Sequence, residues 1–488
     1  MYALYLHIPF CRARCSYCDF NTYTTLGDLQ GEYVAALARE IRLVGDTGRA
    51  GEAGRAGDER AAVDTIFFGG GTPSLLTPEQ VATLLAAVRD SFALASDAEI
   101  TMEANPGTVD EAWLAAVRAL GVNRLSFGVQ SALPHELALL GREHDFAAAV
   151  TALSAARAAG FDNLNLDLIY GLPGQSVADW QRTLDAALPL GVEHVSLYCL
   201  TIEPGTPMQR WLHNGTIMAP DPDTAADQYE AACRALAAAG YGHYEISNWA
   251  KPGRECRHNI VYWRNRPYLG LGAGAHGMAG GYRYQVVRQP RTYIKRITNY
   301  ELRITNGEPR ATNDEPRAAN DERRGGHRPP ATDLLTTDLL NTDLLTTDLL
   351  NTDPLTTDLL NTDPLNTDLL ITDPLTTDPL TTGHSPPATL PVSPSPLPPF
   401  PLSPAVAAHH RVDEAEAMSD TAITQLRLLD EGLDLGAFEA RFGRAFDEVY
   451  RDEVRQLVDW GLLRVDGHRL LLTEKGRFLS NQVFYRFV

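Results

Sequence analysis

From Ala3 to about residue 240, short apolar runs alternate with longer amphipathic stretches. The apolar runs at 3–8, 64–68, 98–103, 123–129, 163–169 and 194–200 read as strands, because they are bounded by turn residues and too short for buried helices. Between them, 29–45, 78–93, 110–120, 146–159 and 177–189 are rich in Ala, Leu, Glu and Arg and are often opened by Thr, Pro or Asp, the pattern of capped surface helices. Six βα units in succession predict a parallel sheet curled as a partial or full barrel. In such sheets function gathers at the carboxyl ends of the strands.

The pattern then breaks. Residues 331–380 hold ten tandem pentads, nearly all of the form T/N-T-D-L/P-L, followed by a Pro- and Ser-rich stretch to Pro404. A period of five fits neither a helix nor a strand face, and the recurring proline interrupts any helix, so 307–404 is expected to be a disordered low-complexity insert. After it, 419–430, 435–442 and 447–460 read as helices, followed by a hairpin, LLRV and RLLL around Asp466-Gly467. The expected division is 1–240, 241–306, 307–404 and 405–488.

Chemistry concentrates just after the first strand. YLHIPFCRARCSYCDF places Cys11, Cys15 and Cys18 within eight residues. Three thiolates at that spacing can hold three corners of an iron–sulfur cube and leave the fourth iron open. Two other readings compete. Positions i, i+4 and i+7 share a helix face, and His7 could complete a zinc site, although the paired Cys-x-x-Cys hooks of such sites are missing. Further along, each polar or glycine-rich feature falls at the same end of its strand: Gly69-Gly70-Gly71-Thr72-Pro73, Glu103-Ala104-Asn105-Pro106, Gln130, Asp167 and Gly171-Leu172-Pro173-Gly174-Gln175. Glycines there let backbone approach a ligand, carboxylates can take ribose hydroxyls, and Arg142 can pair with a ligand carboxylate.

CxxxCxxC after strand one, GGGTP after strand two and a glutamate after strand three resemble the radical S-adenosylmethionine (SAM) superfamily. The longer strings YLHIPFC, GGGTPS, EANPG, NRLSFGVQS, DLIYGLPGQ and SLYCLTIEPGTP are similar to the anaerobic coproporphyrinogen III oxidase family. That resemblance implies a partial (β/α)6 barrel of the radical SAM type with a small winged-helix-like α+β C-terminal domain. It also implies a [4Fe-4S] cluster on Cys11, Cys15 and Cys18, with SAM on the fourth iron and cleaved on one-electron reduction by an external electron donor. By matching motif positions, the SAM contacts would be Tyr5, Gly70, Gly71, Thr72, Glu103, Gln130, Arg142 and Asp167, with Tyr17 near the cluster or adenine.

Two departures separate subfamilies. The oxidase pattern carries a fourth cysteine two positions after the third, where this chain has Phe20, and it carries an extension ahead of its first strand, where this chain has ten residues before Cys11. Both resemble the heme-chaperone branch, as does His258-Asn259-Ile260-Val261-Tyr262-Trp263, the HNxxYW signature of that branch. The resemblance implies heme binding and transfer to an acceptor protein, with His258 as iron ligand and Tyr262 and Trp263 against the porphyrin; Cys256, His243 and His276 are substitutes for the ligand. From the residues alone, an imidazole can ligate iron and aromatic faces suit a macrocycle, but the same residues serve equally as core. The glycine run 270–277 allows close backbone approach.

Charge and composition narrow the partners. The formal charge of −20 disfavours nucleic acid and membrane surfaces, although ten repeat aspartates supply half of it. From Arg411 to Val488, eleven Lys or Arg against fifteen Asp or Glu leave −4, which disfavours DNA for the winged-helix-like domain. With no run of eighteen apolar residues and no basic leader, a cytoplasmic protein is expected. Oligomeric state is open, a homodimer included.

Overall fold

The computed structural model describes residues 1–51, 60–305 and 403–488. The reading of 307–404 as a disordered insert therefore falls outside the described residues, except for Ser403 and Pro404.

Six parallel strands are β1 (Tyr2–Ile8), β2 (Ala62–Gly70), β3 (Ala93–Ala104), β4 (Arg124–Gln130), β5 (Leu164–Tyr170) and β6 (His194–Cys199). They lie in sequence order, each paired in parallel with the next. Their residues are buried on both faces, which is why they read as continuous apolar runs rather than alternating ones. The connecting helices are α1 (Gln30–Gly51), α2 (Pro78–Ser91), α3 (Glu111–Leu120), α4 (Pro134–Leu139), α5 (Phe146–Ala158) and α6 (Val177–Ala187). Thr77 opens α2 with a reciprocal capping box to Gln80, and Asp110 and Asp145 cap α3 and α5.

The sheet does not close. After β6, α7 (Pro207–His213) and α8 (Pro222–Ala238) lead to a short antiparallel pair, β7 (Gly242–Glu245) and β8 (Asn248–Ala250), which extends the β6 edge. The chain then crosses through α9 (Arg257–Trp263) to β9 (Tyr268–Leu271), parallel to β1 on the opposite edge. Antiparallel β10 (His276–Ala279) and β11 (Tyr282–Val286) continue that edge, followed by α10 (Pro290–Thr305). A final strand, β12 (Val406–Arg411), pairs with β11, giving an open sheet of twelve strands among the described residues. The boundary expected at 405 thus assigns to the C-terminal domain a strand that the large sheet takes. Ser403, just ahead of it, donates its hydroxyl to Glu40 of α1, a carboxyl buried with Tyr293 and the Gly272 amide. Burial raises the Glu40 pKa.

The remaining chain forms a small domain with its own core. Helices Glu414–Leu426 and Leu435–Phe442 pack with the hairpin Leu463–Asp466/Arg469–Leu472 and a third short strand, Leu433–Asp434. The first helix starts five residues earlier than expected because Asp413 caps it; the third expected helix is broken at Tyr450 into Phe446–Val449 and Arg451–Asp459. This domain docks through Arg427, whose guanidinium stacks on Trp263 at 4.4 Å and reaches Glu245 of β7 at 4.0 Å. No helix among the described residues is long and apolar enough to cross a membrane.

Candidate functional site

The cysteine loop is held over the carboxyl ends of β1 to β3 by backbone bonds. Gly71 N donates to Ile8 O and Thr72 N to Phe10 O, both at 2.8 Å, while Gly70 N donates to Glu103 Oε2 at 3.2 Å. A Cβ on Gly71 would stand 2.6 Å from Phe10 O, closer than carbon and backbone oxygen approach. The glycine triplet expected to cradle a ligand therefore spends its amides inside the protein, clamping the cysteine loop to β2.

Two of the three thiols are wired into one polar network. Thr72 Oγ1 donates to Cys11 Sγ at 3.5 Å, and Arg142 Nη1 donates to Cys15 Sγ at 3.3 Å. Asn105 joins them, donating to Thr72 Oγ1 at 3.3 Å and accepting from Arg142 Nη2 at 2.5 Å. Arg142 Nη2 also donates to Gly128 O at 2.7 Å. Burial pushes the Cys18 thiol up to about 12 and raises that of Cys11. The Arg142 fork, expected to take a ligand carboxylate, is thus largely committed to Cys15, Asn105 and Gly128; only its Nε is buried without a partner among the described residues.

A cavity of about 260 Å³ opens beneath this loop, lined by the three cysteines, Tyr17, Gly70, Gly71, Thr72, Glu103, Gln130, Arg142 and Asp167. Every expected SAM residue except Tyr5 lines it. Gln130 is the most telling: it ends β4 at φ +70°, a left-handed conformation that costs a non-glycine residue energy, and its buried Oε1 has no partner among the described residues. Strain and an orphaned acceptor at one residue indicate a missing hydrogen-bond donor. Asp167 lies in the middle of β5 rather than after it, accepting from Ser126 Oγ and Asn165 Nδ2, with its pKa raised by burial. Arg124, which sequence reasoning passed over as a strand residue, also lines this cavity, with its Nε buried and unpartnered among the described residues. The Gly171–Gln175 loop lies elsewhere; Gln175 braces Glu136 and Gln228 holds the Gly171 amide.

A second cavity, about 160 Å³, adjoins the first and shares Asp19, Phe20, Phe67, Glu103 and Asn259 with it. Its walls include Tyr5, His7, His258, Tyr262, Tyr268 and His276. Tyr5 faces this cavity, bonded to His7 Nδ1 at 3.1 Å. His258 is 1% exposed, and both ring nitrogens are engaged, Nδ1 with Thr65 Oγ1 and Nε2 with Tyr262 OH, each at 2.9 Å. Burial takes its pKa down to about 3. Iron ligation by His258 would have to break one of these bonds, so the geometry speaks against that expectation. Trp263 does not join the cavity either: one residue further along α9, it turns to the C-terminal domain under Arg427. Of the substitutes, Cys256 is fully buried beside Glu99, and His243 is stacked on Trp249 at 3.9 Å. His276 alone of the three lines the cavity.

The donors fit a cluster better than zinc. His7, the fourth ligand a zinc site would need, is bound at both nitrogens, to Tyr5 and to Asn21 O at 3.1 Å. Among the described residues no three His, Cys, Asp or Glu side chains converge on a single ion, whereas sulfurs at the corners of a cube stand further apart. Three thiols, an orphaned Gln130 acceptor and an unused Arg142 donor fit a cluster carrying a polar ligand.

Comparison with known proteins agrees. The Radical SAM superfamily matches residues 5–187, and the HemN C-terminal domain matches 412–479. Coproporphyrinogen III oxidase (HemN) from Escherichia coli, described as a radical SAM enzyme, superposes with a TM-score of 0.68 over 99% of this chain and 89% of its own, at 22% identity, which establishes the shared fold. Fold and site together define a radical SAM protein with a HemN-type C-terminal domain. The heme chaperone HemW of Mycobacterium tuberculosis (strain H37Rv) is 46% identical over 295 residues, covering 60% of this chain and 73% of the relative. HemW of Bacillus subtilis is 39% identical over 299 residues, 61% of this chain and 76% of the relative. The chain belongs to the HemW family.

Proposed function

We propose that this protein is a heme chaperone, binding heme and passing it to an acceptor protein, on a scaffold that carries a [4Fe-4S] cluster and SAM. Cys11, Cys15 and Cys18 would hold the cluster, with Thr72 and Arg142 stabilising two of the sulfurs. Gln130, the Arg142 Nε, Glu103 and Asp167 would bind SAM, and Tyr17 would cover the cluster from the protein side. A reduced cluster supplies the one electron that SAM cleavage requires. The protein's own share is to exclude water, to fix the loop and to keep the open corner facing the cavity.

The observation that carries the heme reading is the second cavity, rich in aromatic rings and histidine, built directly against the cluster site and sharing Phe67, Glu103 and Asn259 with it. Phe20, 39% exposed, stands at the junction where the oxidase pattern has a cysteine. We assign the protein to the cytoplasm, with an electron donor and a heme acceptor as partners, and place the domain boundaries near 240, 306 and 411. The test is anaerobic. Reconstituted protein is expected to bind hemin saturably and to leave coproporphyrinogen III unchanged. Sustained formation of protoporphyrinogen IX with SAM consumed would instead establish the oxidase reading that the shared fold also permits.

A further inference from the structure

The second cavity has a free imidazole that the HNxxYW signature does not include. We propose that heme docks at the open mouth of this cavity, which is too small to enclose the whole macrocycle, with His276 as its axial iron ligand and Arg288 pairing with a propionate; this rests on the heme-chaperone reading and assigns the ligands within it.

Three histidines line the cavity, and hydrogen bonding separates them. Both nitrogens of His258 and of His7 are engaged, His7 with Tyr5 OH and Asn21 O. The ring of His276 makes no hydrogen bond among the described residues and is only half-buried, so a nitrogen lone pair is open to the cavity. Iron ligation there breaks nothing.

Its position is fixed rather than incidental. The turn before β10 is tied to the cysteine loop: Asn21 Nδ2 donates to Ala273 O and to Arg288 O, both at 2.9 Å. Gly272 turns at φ +100°, where a Cβ would lie 2.7 Å from His7 O, so the turn presses directly against the end of β1. His276 thus lines the same cavity as Asp19, Phe20 and Asn21, which follow the third cysteine on the loop. Arg288, two residues past β11, lines the same cavity with no ion pair or side-chain hydrogen bond among the described residues. An unpaired guanidinium beside an open imidazole suits a ligand that offers both a metal and a carboxylate. Tyr5, Phe67 and Tyr262 supply aromatic surface for the macrocycle.

The test is hemin titration of the anaerobically reconstituted full chain, followed in the Soret band, with cluster absorbance and circular dichroism as checks of folding. In His276→Ala the axial-histidine spectrum is expected to be lost and affinity to fall roughly tenfold or more. Added imidazole is expected to restore the spectrum, which a merely misfolded variant cannot do. Loss of the axial-histidine spectrum in His258→Ala, with His276→Ala retaining it, would assign the iron to His258 and overturn the proposal. Arg288→Ala is expected to weaken hemin several-fold with an unchanged spectrum, and to bind heme dimethyl ester as the wild type does. A wild-type spectrum and affinity in His276→Ala would overturn the assignment while leaving the chaperone reading standing. Wild-type protein that binds no hemin would overturn both.

Discussion

Replacing Cys11, Cys15 and Cys18 together by serine is expected to remove iron and inorganic sulfide from anaerobically reconstituted protein, leaving its helical circular dichroism unchanged. The loss should be complete because cluster bonds run through thiolate sulfur, and no other cysteine sits on this loop. The fold should survive because the loop is anchored by backbone bonds, Tyr23 N to Pro9 O and Thr72 N to Phe10 O, not by the thiols. Cys233→Ser, in α8 and away from both cavities, serves as control and should keep its iron. Metal content unaltered in the triple variant would refute the cluster assignment, as would zinc in place of iron in the parent.

Arg427→Ala is expected to have the largest effect on stability. Arg427 is 4% exposed, and Glu245, 4.0 Å from it, is completely buried. Burial raises the Glu245 pKa and lowers that of Arg427, so each charge depends on the other to offset its desolvation. Truncation leaves Glu245 with Asn248 and the Ser247 and Ile246 amides, and it also removes the cation stacked on Trp263 and facing Phe484. A cost of about 3–5 kcal/mol is expected in chemical denaturation, the range for breaking a buried pair. Glu245→Gln in the same chain should recover part of it. A loss within about 1 kcal/mol, as for an exposed pair, would contradict the docking role.

How much of this was legible in the sequence depended on range. The six parallel strands announced themselves because strands buried on both faces are uninterrupted apolar runs, as in TIFF and LIY. β7 to β12 did not: each has three to six residues, and β12 pairs with β11 across the whole insert, a partner no local pattern can name. At the site, the cysteines and Gln130 were visible as residue types at strand ends. Side-chain direction was not. Tyr5 lines the second cavity and Trp263 turns to the C-terminal domain, because which side of β1 or α9 meets a cavity is set by distant packing. Asn105, within a turn-like Asn-Pro-Gly, gave no hint that it joins Thr72 to Arg142. The glycine triplet invited a ligand-cradle reading because a clamp and a cradle demand the same missing Cβ.

Cys11, Cys15 and Cys18 would hold a cluster at three corners, and SAM would bind in the cavity they share with the Gln130 acceptor. The measurement that reaches this most directly is electron–nuclear double resonance on the reduced, reconstituted protein with SAM labelled with nitrogen-15 at its amino group. A resolved nitrogen coupling to the cluster is the expected result, weakened in Gln130→Ala through looser SAM binding. A cluster signal indifferent to SAM, with no nitrogen coupling at saturating concentration, would contradict it.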